Sequence, residues 1–82
     1  MDKLPKNLQR RIANCKAKYG IEITKEMALE SFIMAEKGNG GSTCGWQIFH
    51  SVFTIQQVSR LNKRDSQTIG DTAIDYGRFI NN

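Results

Sequence analysis

Cys44 and His50 are the one thiol and imidazole close enough in sequence to suggest a nucleophile and its base. On a single helix, six positions place them about 120° apart around the axis, so the two side chains should not touch. Cys15 could reach His50 only through tertiary packing that spacing does not fix. Neither cysteine belongs to a CxxC pair and the chain has one His, whereas a four-ligand zinc site or a disulfide scaffold needs more. Both thiols are expected to be reduced and to pack as small hydrophobes, although their spacing permits a single bridge. No metal and no cofactor is implied.

Two other groupings invite chemistry and are better explained without it. Asp71 and Asp75 share a helix face at i, i+4, but Arg78 follows three residues later and no apolar pocket is implied that would raise a carboxylate pKa. A solvated face is the expectation. Gly38-Asn39-Gly40-Gly41-Ser42-Thr43 offers the successive N–H groups of an anion-binding loop, yet it lacks the GxxxxGK[ST] order, and no convincing strand precedes it. A helix stop at Gly38 and an N-cap at Ser42 or Thr43 account for its composition. No catalytic residue is assigned, and the chain is expected not to be an enzyme.

Charge gives the strongest signal. The 82 residues carry 12 Lys and Arg against 8 Asp and Glu. Residues 1–20 hold Lys3, Lys6, Arg10, Arg11, Lys16 and Lys18 against Asp2 alone, whereas the rest of the chain is close to balance. A basic helix of this kind can neutralise phosphates, dock on an acidic protein or lie on anionic lipid, or it can serve solubility. Base reading is not expected. Ala73 and Gly77 have helix-turn-helix spacing, but the chain printed here continues for only five residues after Gly77, too few for a recognition helix.

These side chains need elements to hold them. Pro5 opens a periodic segment in which Leu4, Leu8, Ile12, Cys15 and Tyr19 form one stripe and Gly20 supplies the stop, predicting a first helix over 5–19. Ile21 to Ile23 reads as an extended connection to Thr24, an N-cap for a second helix reaching about Lys37, with Ile23 and Ala28 as its hydrophobic staple. Residues 44–62 are rich in strand formers, but Gln47, His50, Ser51 and Thr54 lie at helical spacing, which predicts a long third helix to about Asn62. Residues 62–66 read as a turn. Thr68 and Asp71 then have capping-box spacing ahead of a fourth helix, whose small residues Gly70, Ala73 and Gly77 suit close helix approach.

The expected fold is therefore all-α, one compact single-domain bundle of about four helices over residues 1–82, with α+β containing a short strand pair as the alternative. No apolar run nears the roughly 18 residues of a membrane span, and MDKLPKNLQRR lacks a signal peptide's apolar region, so a soluble, cytoplasmic chain is expected. A core this small leaves room for self-association.

Function is then expected through binding. Lys6, Arg10, Arg11 and Lys18 are the candidates for electrostatic docking on an acidic protein surface. Met34, Trp46 and Phe49 are the candidates for apolar anchoring or a dimer seam. Regulation or inhibition of a larger macromolecule follows as the expected role, and small proteins of this kind are frequent in phages and mobile elements. The rival expectation is a sequence-nonspecific protein that grips a nucleic-acid backbone with the basic helix.

Overall fold

A computed structural model describes residues 4–37, 45–53 and 61–81. Over these residues the protein is an all-α bundle of four helices without a strand: α1 (Lys6–Tyr19), α2 (Lys25–Lys37), α3 (Gly45–Val52) and α4 (Lys63–Asn81). The glycine-rich stretch 38–43, Cys44 and the segment 54–60 lie outside the described residues.

Local chemistry sets the ends of the first two helices. The Pro5 carbonyl accepts the Gln9 N–H at 2.9 Å, opening α1. At its other end Gly20 adopts φ 69° and ψ 22°, a left-handed conformation costly for a residue with a Cβ. Its N–H donates to the Lys16 carbonyl and that of Ile21 to the Cys15 carbonyl, so the turn closes the helix and aims the chain inward. Ile21, 2% exposed, and Ile23 then enter the core beside Cys15 and Ala28. Thr24 Oγ1 accepts the Met27 N–H at 3.1 Å, the side-chain cap expected of it.

The other two helices differ from the sequence-based expectation. The third helix does not run unbroken to Asn62. It ends at Val52, and Phe53 leaves it to stack on Phe49 with ring centroids 4.6 Å apart. Two helical turns suffice to bury Ile48 and Phe49, and the bend at Phe53 adds its ring to the same core cluster. The fourth helix begins about five residues before the expected Thr68 cap. Asn62 Oδ1 accepts the Asp65 N–H at 2.8 Å, an N-cap with an acidic residue in the first turn. Thr68 lies within the helix and donates its hydroxyl to the Arg64 carbonyl.

Helix α4 is the spine, and it meets α2 and α3 at glycines small enough to let them approach closely. A methyl group at Gly77 would strike the Ala28 carbonyl of α2, and one at Gly70 would strike the Gly45 carbonyl of α3. Helix α1 runs antiparallel to α4. Tyr19 meets Asp65, Cys15 meets Thr72 and Arg11 meets Asp75, each step one way along α1 matched by a step the other way along α4. Thr72 and Gly70 are two positions apart, so α1 and α3 approach the spine from directions about 160° apart.

Candidate basic docking face and its apolar notch

Helix α1 carries the first candidates, Lys6 and Arg10 on its outer side and Lys18 at the edge of its apolar stripe. Lys6, Arg10 and Lys18 are exposed and pair with no described carboxylate, whereas Lys16 lies 3.9 Å from Glu22. From Lys6 to Lys18 the helix rises about 18 Å. Arg11 is different. It lies beside the buried stripe of α1 and reaches α4, where its guanidinium donates to Asp75 Oδ2 at 2.8 Å. Arg78 donates to the other oxygen, Oδ1, at 3.1 Å. One carboxylate is thus shared by two guanidiniums, which leaves this ridge with a net positive charge.

Depressions flank the ridge on both sides. The first, about 420 Å³, is bounded by Arg11, Asp75 and Arg78 together with Asp71, Ile74 and Glu36. In it the Asp71 carboxyl is pushed above the ordinary carboxylate range by burial and by the neighbouring Asp75 charge, against the opposing pull of Arg11. The Asp71 and Asp75 pair was expected to be a solvated face. It borders a cleft instead, because α1 and the end of α2 rise on either side of it. Since the folded state holds the Asp71 proton more tightly than the unfolded chain, this group favours folding below the ordinary carboxylate pKa and loses that contribution as pH rises through the raised value. At neutral pH the ionised form is a burden. Asp71→Asn should therefore raise the melting temperature at pH 7 by up to about 4 °C, a modest figure because solvent screens a half-exposed group. In thermal melts that gain should vanish at about pH 3, where Asp71 is protonated in both states.

On the other side of the ridge lies a notch of about 340 Å³ floored by apolar side chains, Leu8 and Pro5 from the start of α1 and Phe79 from α4. Phe79 is 38% exposed.

The apolar candidates fare unevenly. Phe49 is 0% exposed and packs in the core with Phe53, Ile69 and Ala73, so its assignment as a partner anchor is corrected. Its position on α3 points straight at α4. Trp46 is half-buried, with Lys63 Nζ 5.1 Å from its ring centroid and the His50 ring at 4.6 Å. It belongs to the α3 side of the spine, away from α1, so one flat surface could not engage both. Met34 is half-buried on α2, whose exposed apolar residue is Ile33 at 47%.

No family model, curated protein or solved structure matches this chain.

The thiol sites offer no described dyad. Cys15 is buried against α4, and burial pushes its thiol up, only partly opposed by a hydrogen bond with Thr72 and the Arg11 charge. A protonated, enclosed thiol is a poor nucleophile. Among the described residues, no group of three His, Cys, Asp or Glu could hold a metal ion, and no helix is long and apolar enough to cross a membrane.

The sequence places Arg11 among the free docking cations, and the structure corrects this, since Arg11 is engaged within the fold by Asp75. Two signals were present. Arg11 sits beside the apolar stripe of α1, where a long side chain must reach along a neighbouring helix. Phe79 falls about 100° off the stripe of Ile69, Ala73, Tyr76 and Ile80, a large apolar residue out of register with its own core face.

Proposed function

We propose that the protein is a small non-enzymatic binding module, regulatory or inhibitory in effect, that docks on an acidic protein surface through α1. The observation that carries this is the pairing pattern of the cations. Arg11 and Lys16 have carboxylate partners within the fold, while Lys6, Arg10 and Lys18 face solvent with no described one. Charges that do nothing for the fold are free to steer an oppositely charged partner. A protein partner is favoured over a nucleic-acid backbone by the apolar notch beside the cationic face. Phosphates gain nothing from an exposed Phe79, whereas protein interfaces combine a polar rim with an apolar centre.

Fluorescence anisotropy tests this with labelled poly-glutamate and labelled single-stranded and duplex oligonucleotides, at about 50 and 200 mM salt. Poly-glutamate should bind at the lower salt, weaken at the higher, and lose roughly tenfold in affinity with the double variant Lys6→Glu and Arg10→Glu. Oligonucleotides bound more tightly than poly-glutamate would transfer the function to nucleic-acid binding. No binding of either at low salt would leave α1 a solubilising face.

A further inference from the structure

The notch between α1 and α4 has an apolar floor and a cationic rim, and each half constrains what could fill it. Its floor is Leu8, Pro5 and Phe79, Asn7 closes one side, and its inner wall is the ridge of Arg11, Asp75 and Arg78. Arg78 is held in place twice. It donates to Asp75 and its guanidinium carbon lies 5.9 Å over the Phe32 ring, so two contacts orient the rim charge. Within the ridge, two guanidiniums share one carboxylate and retain donors for another. A cationic rim round a partly exposed aromatic floor fits an apolar side chain flanked by carboxylates.

We infer that this notch is the anchor point of the docking face: it seats a single aromatic or branched aliphatic side chain from an acidic segment of the partner, whose neighbouring carboxylates pair with Arg78 and Arg11. Charge complementarity selects this occupant. A purely apolar segment would leave the rim unanswered, and a segment carrying Lys or Arg would meet like charge from Arg11 and Arg78. The inference rests on the proposed acidic-protein docking and names where its specificity would lie.

The test uses twin fluorescein-labelled peptides of Asp, Glu, Ser and Gly, identical except that one carries a central Phe and the other Ala. At about 50 mM salt the Phe peptide should bind the wild-type protein about tenfold more tightly than the Ala peptide. Phe79→Ala should abolish that difference, Phe79→Leu should restore part of it, and Arg78→Gln should weaken both twins. Because the decisive change is made in the peptide, loss of fold cannot mimic it, and circular dichroism checks the protein variants. Equal binding of the twins to the wild type, or a difference that survives Phe79→Ala, would overturn the notch while leaving acidic docking intact. Failure of both twins to bind would instead count against the docking face itself. A concentration-dependent dimer in sedimentation that Phe79→Ala dissolves would overturn the inference by making a second copy of the chain the occupant.

Discussion

Gly70→Ala should remove about 3 kcal/mol or more of stability and lower the melting temperature by more than about 12 °C, although alanine is the better helix former. The reason lies across the helix crossing. A Cβ at position 70 would fall on the carbonyl oxygen of Gly45, and the atoms next in line are the Gly45 carbonyl carbon and Cα. All belong to backbone, so no rotamer change can relieve the clash, and α3 must move bodily away from α4. Ile48, Phe49 and Phe53 then lose their packing together. Gly77→Ala should behave alike at the other crossing, where the new methyl would meet the Ala28 carbonyl and the Phe32 Cβ. For a domain of this size, whose whole stability is on the order of 5–10 kcal/mol, either loss is a large share. Urea and thermal melts followed by circular dichroism measure it. A stabilisation of about 1 kcal/mol, the bare gain in helix propensity, would mean that the helices do not approach as closely as the structure places them.

The same crossings show how far the fold was legible. Helices α1 and α2 could be read because their signals are local. An apolar stripe with a glycine stop gives α1, and Thr24 with its staple gives α2. The small residues of α4 were legible as a surface for close approach, but not what would approach it, since Gly45 and Ala28 are distant in sequence. The early start of α4 was present in the chain as Asn62 and Asp65, a cap and its acidic first turn, competing with the similar spacing of Thr68 and Asp71. The choice between them depended on Ser66 and Ile69 being buried against other helices, which no local pattern states. The bend at Phe53 was hidden for the same reason.

Much less of the candidate site was legible. Exposure of Lys6 and Arg10 follows from the helical wheel of α1 alone, whereas Lys18 shares the edge of the apolar stripe with Arg11 and only the structure shows it exposed. The Arg11 contact with Asp75 does not, because it joins residues 64 positions apart and depends on the antiparallel register of α1 on α4. Asp75 and Arg78, which the sequence reads as part of a solvated face, and Phe79, which it does not single out, are brought beside Leu8 and Arg11 only by that register. Composition suggests that the aromatic residues of the third helix are available to a partner. Burial removes Phe49 from that set, and among the described residues the exposed aromatic one is Phe79 of α4.

Phe49→Ala decides between these roles by what it costs. Phe49 is fully enclosed, its ring 4.6 Å from that of Phe53, in a cluster that also holds Ile69 and Ala73. Truncating it forfeits the transfer free energy of an aromatic side chain and leaves a cavity the helices can close only in part, for about 3–5 kcal/mol and a melting temperature lower by roughly 15 °C or more. Trp46 is larger but half-buried, and it packs beside a lysine ammonium and an exposed imidazole. Trp46→Ala should therefore cost less, about 1–2 kcal/mol, with the fold retained. The order of the two effects runs against side-chain size, so size alone cannot produce it. Should Phe49→Ala melt like the wild type and instead lose affinity for an acidic peptide, Phe49 would be a surface anchor and its place in the core would be wrong. If Trp46→Ala proves the more damaging, the packing of α3 on α4 must be centred on its first turn rather than on Ile48 and Phe49.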